Sequence, residues 1–111
     1  MEQRIYEIVR MIPYGKVTTY GDIAIILGNK GLSRYVGSVL KNNPYSIYVM
    51  NGDLMVPCHR VIKSDRTIGG FFGATNGDLI RQKIQILQNE GVIFETNGKI
   101  CVQSIIHANI K

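Results

Sequence analysis

The feature that most constrains this chain is a series of short apolar stripes at helical spacing, each cut off by glycine or proline before it grows long. Ile5, Ile8, Val9 and Ile12 fall on one helical face, and Pro13 with Gly15 ends that helix near Met11 or Ile12. Val17 and Thr18 form a short extended link. Thr19 can then cap a second helix carrying Ile23, Ala24 and Leu27, with Asp22 in its first turn and Gly28 at its end. After a tight turn at Asn29, Lys30 and Gly31, the shared face of Leu32, Val36, Val39 and Leu40 predicts a third helix over 32–41. Helices this short are marginal alone in water, so each must bury its stripe against the others. At 111 residues there is room for one hydrophobic core, and residues 1–111 are expected to form a single domain.

Two short helices joined by a glycine-containing turn have the outline of a helix-turn-helix. The face of the second helix turned away from the core is informative. Arg34, Gly37, Ser38 and Lys41 lie at i, i+3, i+4 and i+7, a stripe that is small in the middle and basic at both ends. Small residues there let the backbone approach a groove closely. Thirteen basic against eight acidic residues give a net charge of +5, which favours a polyanionic partner but does not by itself identify DNA. No apolar run approaches the ~20 residues that span a bilayer, and the start Met1-Glu2-Gln3-Arg4 resembles neither a secretory signal nor a transit peptide. A cytoplasmic, monomeric protein without a membrane segment is expected, and its two cysteines read as free thiols.

Beyond the third helix, the stretch from Pro44 to Val56 is apolar and β-prone around Asn51-Gly52, which predicts a hairpin. Asp78 is placed to cap a fourth helix with Ile80, Ile84 and Leu87 on one face and Gly91 as its stop. Val92 to Phe94 and Ile100 to Val102, around Asn97-Gly98, predict a second hairpin that could serve as a wing. The fold class expected is therefore mainly α: a winged helix-turn-helix DNA-binding domain with short β-hairpins.

The run Val56-Pro57-Cys58-His59-Arg60-Val61-Ile62 carries the strongest chemical signal. Pro57 fixes its own φ and biases Val56 toward an extended shape, so Cys58 begins a constrained turn. A thiol attacks as thiolate, and a neighbouring imidazole favours that form. On an extended strand Cys58 and His59 would point to opposite faces, whereas a turn brings both within reach of one water. Taken alone, the pair reads as readily as a buried inert cysteine beside a surface histidine. A zinc site from Cys58, His59, Cys101 and His107 fits none of the usual finger or ribbon spacings. No metal or cofactor is expected.

This motif, preceded by Gly15 to Ala24 (GKVTTYGDIA) and Ser33 to Pro44 (SRYVGSVLKNNP), closely resembles the C-terminal domain of the O6-alkylguanine-DNA alkyltransferases, also called methylated-DNA–protein-cysteine methyltransferases. The similarity runs from about Arg4 to Gly91. It implies that Cys58 accepts the alkyl group, that His59 polarises the thiol through a water, and that Glu90 completes the relay. Asn43 corresponds to a hinge asparagine tying the recognition helix to the active-site turn. Tyr20 corresponds to the tyrosine that crowds the DNA phosphate and contacts the flipped guanine, and Arg34 to an arginine finger that enters the duplex in its place.

The resemblance further implies DNA contacts at Asn29, Ser33, Gly37, Ser38, Lys41 and Ser64, and a base pocket built from Val61, Phe71, Phe72 and Gly73. The segment from Pro44 to Cys58 is longer than the family's, Phe71 stands where tyrosine is common, and the N-terminal domain of many relatives is not expected here. The partner implied is double-stranded DNA containing O6-alkylguanine, repaired in one irreversible turnover. The alternative is an alkyltransferase-like protein that flags the lesion without removing the alkyl group; such proteins characteristically lack the acceptor cysteine, so Cys58 favours transfer. A winged-helix transcriptional regulator would account for the charge and the helices but leaves the Cys58 motif without a purpose.

Overall fold

The computed structural model describes residues 1–106. The fold is mainly helical with one small sheet. Helix α1 (Glu2–Arg10) buries Ile5, Tyr6, Ile8 and Val9, the stripe its spacing required. Strand β1 (Thr18–Thr19) leads directly into α2 (Tyr20–Ile26), whose N-terminus is capped by Thr19 Oγ1 accepting the Asp22 N–H at 3.0 Å. Gly28, at φ +101°, ends that helix. One 3-10 turn (Lys30–Leu32) follows, opened by Asn29 Oδ1 accepting the Gly31 N–H. Helix α3 (Ser33–Lys41) then buries Val36, Val39 and Leu40 against α1 and α2.

The short sheet was not anticipated. β1 pairs in parallel with β2 (Val61–Ile62), Thr18 opposite Val61 and Thr19 opposite Ile62. This pairing ties the entry of α2 to the end of the Cys58 motif. Helix α4 (Asp78–Asn89) closes over the result with Ile80 and Leu87 buried and Ile84 half-buried. One core gathers α1, α2 and α3 with Val56, Cys58, Val61 and Phe71; a second joins Val17, Ile62, Leu87, Val92 and Ile100. No helix among the described residues is long and apolar enough to cross a membrane.

Three expectations need correction. Residues 44–56 form no hairpin: the Ser46 carbonyl accepts the N–H groups of both Val49 and Met50, which coils the would-be first strand. Gly52 has the positive φ of a turn, but Asn51 is extended at φ −140°, so the two-residue hairpin turn that needs both residues left-handed does not form. The second hairpin is reduced to one antiparallel bridge, Phe94 with Ile100, closed by the Glu95 N–H to Lys99 carbonyl bond at 2.7 Å. Asp78 is the first residue of α4 rather than its cap, a position taken by Gly77 at φ +83°; its carboxylate pairs with Arg81. His107 lies outside the described residues.

Candidate active site: a cleft around Cys58

Pro57, at φ −78° and ψ 69°, is the centre of an inverse γ-turn in which the Cys58 N–H donates to the Val56 carbonyl at 2.8 Å. The chain then tightens into a 3-10 turn (Cys58–Arg60), and the expected bend after proline is present. The Val56 carbonyl also accepts the Asn43 amide at 2.8 Å, while Asn43 Oδ1 accepts the Tyr45 N–H at 2.9 Å. Asn43 is thus fully engaged, and it fastens the end of α3 to the Cys58 turn.

Cys58, His59 and Arg60 are all buried. His59 Nε2 lies 2.9 Å from Glu90 Oε2, and Arg60 takes both oxygens of the same carboxylate, Nε to Oε1 at 2.8 Å and Nη2 to Oε2 at 3.0 Å. Arg60 Nη1 also donates to the Ile12 carbonyl just beyond α1, and its guanidinium lies over the Tyr14 ring. Burial raises the Glu90 pKa, but the hydrogen bonds from His59 and Arg60, with their charge, outweigh it and bring the pKa to about 2. An ionised carboxylate only accepts, so His59 Nε2 is the donor to Glu90, which leaves Nδ1 as the acceptor whenever the ring is neutral. Nδ1 is buried and has no partner among the described residues. In its neutral form the ring is able to take a proton at Nδ1.

Burial pushes the Cys58 thiol above its ordinary pKa; a hydrogen bond from Asn43, the nearby Lys83 charge and the Cys58 backbone N–H pull the other way without cancelling it. At rest the sulfur is a thiol that needs a proton acceptor. Tyr20 is half-buried, and desolvation, with Cys58 nearby, pushes its pKa up to about 12, so its phenol stays a proton donor.

Cys58 lines a cleft of about 620 Å³. α2 and α3 contribute Tyr20, Gly21, Ser33, Arg34, Gly37 and Lys41 to one wall, and residues 63–65 and 70–73 form the other. α2 packs closely on this second wall at Gly21, where a Cβ would stand 2.7 Å from Ser64 Oγ and oblige that hydroxyl to turn away. Arg34, Ser38 and Lys41 are exposed along α3, as their spacing implied.

Of the expected site residues, Tyr20, Ser33, Arg34, Gly37, Lys41, Cys58, Ser64, Phe71, Phe72 and Gly73 line the cleft, with Asn43, His59 and Glu90 packed behind it. Val61 does not line it: it is fully buried in the core, and its carbonyl faces Lys83. Asn29 and Ser38 lie outside the lining, Asn29 opening the turn before α3.

Two residues of consequence were missed. Arg60 organises Glu90, and nothing in the sequence distinguishes it from a surface arginine. Lys83, fully buried, donates to the carbonyls of Val61 (2.9 Å), Ile68 (2.7 Å) and Gly70 (2.9 Å). Burial pulls its pKa down to about 7. Three acceptors nevertheless match the three N–H groups of an ammonium, whereas a neutral amine has two, so the geometry favours the charged form. Its place on the Ile80, Ile84 and Leu87 face was the available signal.

Residues 1–92 match the family described as 6-O-methylguanine DNA methyltransferase, DNA binding domain. The chain belongs to this family. It is 39% identical over 97 residues to a methylated-DNA–protein-cysteine methyltransferase of Haemophilus influenzae, covering 87% of this chain and 48% of that protein. It is 42% identical over 101 residues to a DNA base-flipping protein of Escherichia coli, covering 91% of this chain and 69% of the relative. The chain thus spans about half the length of the first and two thirds of the second. Among solved structures, Schizosaccharomyces pombe Atl1 in complex with DNA containing O6-carboxymethylguanine aligns with a TM-score of 0.71 at 30% identity, over 95% of this chain and 93% of that one. Mycobacterium tuberculosis O6-methylguanine methyltransferase aligns with a TM-score of 0.64 at 34% identity, over 81% and 47%.

Proposed function

We propose that this protein repairs DNA by taking the alkyl group of O6-alkylguanine onto Cys58, once per molecule. The observation that carries the reading is a cysteine lining a cleft, next to a buried His59 whose Nε2 is held by Glu90 and whose Nδ1 has no partner among the described residues. The basic face of α3 holds the duplex, Arg34 fills the gap left by the extruded base, and that base enters the cleft. The thiol proton passes through a water to His59 Nδ1, sulfur attacks the alkyl carbon in line, and the carbon–O6 bond breaks. Guanine leaves as its anion or, where the Tyr20 hydroxyl supplies a proton, as the neutral base. The electrophilic carbon is already on the DNA, so this chemistry calls for no cofactor. Intact-mass measurement after incubation with O6-methylguanine duplex tests the reading; a gain of one methyl group is expected.

A second reading has its own support. The Escherichia coli relative is named a base-flipping protein, and Atl1 on damaged DNA aligns over nearly the whole chain. Under that reading the cleft holds the lesion without transfer, and the same measurement returns an unchanged mass alongside preferential binding of lesion DNA.

A further inference from the structure

Phe72 occupies a backbone position that its side chain disfavours. Phe71 and Ala74 exchange N–H to carbonyl bonds of 3.0 Å across Phe72 and Gly73, whose φ values are +52° and +84°. A two-residue turn with both residues left-handed ordinarily takes Asn, Asp or Gly, and a bulky residue there is an outlier. Such strain persists where the surroundings over-determine it, and it gathers at functional sites.

Here the surroundings are aromatic. The Phe71 ring lies 4.5 Å from that of Phe72, and the Tyr48 ring lies 6.0 Å from each. Tyr48 comes from the 45–56 loop, and its hydroxyl donates to Gln82 Oε1 on α4. The loop is closed at its neck by the Val56 N–H to Tyr45 carbonyl bond at 2.7 Å. On the far side Arg10 grips it, its guanidinium over the Tyr45 ring and its Nη2 donating to the Leu54 carbonyl. The loop is therefore a strap from α1 to α4, and its aromatic tip abuts the two rings that line the cleft.

We propose that Tyr48 is a positioning residue of the lesion pocket: fixed by the 45–56 loop and by Gln82, its ring keeps Phe72 in its strained turn and the Phe71–Phe72 wall in place to receive an extruded base. This rests on the reading of the cleft as the lesion pocket. Tyr48 itself lies outside the cleft lining and acts through Phe72.

Single-turnover transfer measured against duplex concentration separates pocket occupancy from chemistry at sulfur. Tyr48→Ala is expected to raise the half-saturating concentration of O6-methylguanine duplex by about tenfold while the saturating rate stays within about threefold, because Cys58, His59 and Glu90 are untouched. Affinity for undamaged duplex, which the basic face of α3 supplies, should stay within about twofold. Tyr48→Phe keeps the ring, drops only the Gln82 bond, and should recover most of the lost occupancy. An unchanged half-saturating concentration in Tyr48→Ala, a fall in saturating rate alone, or an equal loss in Tyr48→Phe overturns the proposal. If the wild-type protein prefers lesion duplex without transferring methyl, the same variants compared on lesion affinity decide the role of Tyr48 after the transfer reading has failed. Loss of lesion preference in Tyr48→Ala then upholds the role, and unchanged preference removes it.

Discussion

Glu90 and Arg60 form a bidentate ion pair behind the active-site turn, and His59 shares the same carboxylate at 2.9 Å. One buried acid therefore accepts from the His59 ring and neutralises the Arg60 guanidinium. Removing it should cost both stability and rate.

Breaking a buried pair typically costs about 3 to 5 kcal/mol, because the partner charge is left uncompensated. Glu90→Gln is therefore expected to lower stability by roughly that amount in urea unfolding. The wild-type protein should also show acid sensitivity with a definite window. The folded pKa of about 2 lies below the ordinary carboxylate value, so this stability is fully present above the unfolded pKa. It is lost as pH falls toward 2, and Glu90→Gln should flatten that part of the profile. A variant as acid-sensitive as the wild type would place the sensitivity elsewhere.

His59 should matter most where the thiol is least ionised. Burial holds the Cys58 pKa above its usual value, so thiolate is scarce at neutral pH and the rate should climb as pH rises. General-base help is worth about 10²- to 10⁴-fold, and His59→Ala should lose that at neutral pH, with the two profiles converging in alkali. A constant ratio at every pH would mean that His59 shapes the turn and takes no proton. Cys58→Ala should abolish transfer and leave DNA affinity within a few-fold, whereas Cys101→Ser should change neither.

Lys83 is predicted to hold the far wall of the cleft together. Lys83→Met fits the apolar surroundings but strands three carbonyls, at about 1 to 3 kcal/mol for each buried group left unsatisfied. A loss of about 3 kcal/mol or more is expected, together with faster amide exchange in residues 68–70. A stability within experimental error of the wild type would show that water replaces the ammonium.

Arg34 is exposed at the start of α3 and lines the cleft, which suits a side chain that enters a duplex. Arg34→Ala should slow transfer in duplex DNA far more than in single strands, where no stacked gap needs filling. Similar losses on both would make it a phosphate contact. DNA affinity should fall with salt, at a log-log slope of about −0.9 per phosphate neutralised.

What the sequence disclosed divides along physical lines. The helices were legible because apolar spacing, the Thr19 cap and the Gly28 stop all act within a few residues of each other. The bend at Cys58 was legible because proline dictates its own φ. The parallel pairing of Thr18 with Val61 was not: two residues per strand carry no alternation, and the partners are brought together by packing alone. Residues 44–56 misled because Asn51-Gly52 is a turn signal whose flanking segments are captured by other partners, Tyr45 by Tyr6 and Arg10, Tyr48 by Phe71 and Phe72. The convergence of Asn43, His59 and Glu90 on the Cys58 turn came from family resemblance, since a glutamate at a helix end reads by itself as solvated.

The last prediction concerns turnover. The acceptor in the proposed reaction is a protein side chain, and a thioether does not hydrolyse under ordinary conditions. Methyl transfer should therefore stop at one equivalent per protein however much lesion DNA remains, with the added mass in the peptide containing Cys58. The modified protein should also be less stable. Cys58 belongs to the core cluster of Val56, Val61 and Phe71 but also lines the cleft, so a methyl on its sulfur crowds neighbours on the core side alone, and a loss near the low end of the about 1 to 3 kcal/mol typical of overpacking is expected. Alkylation further removes the thiol proton that the His59 base was arranged to accept. The drop in melting temperature should appear only after lesion DNA has been supplied, and Cys58→Ala should show none. Several turnovers without an added reductant or second enzyme would end the single-use mechanism, and an unchanged mass with tight lesion binding would shift the assignment to lesion flagging.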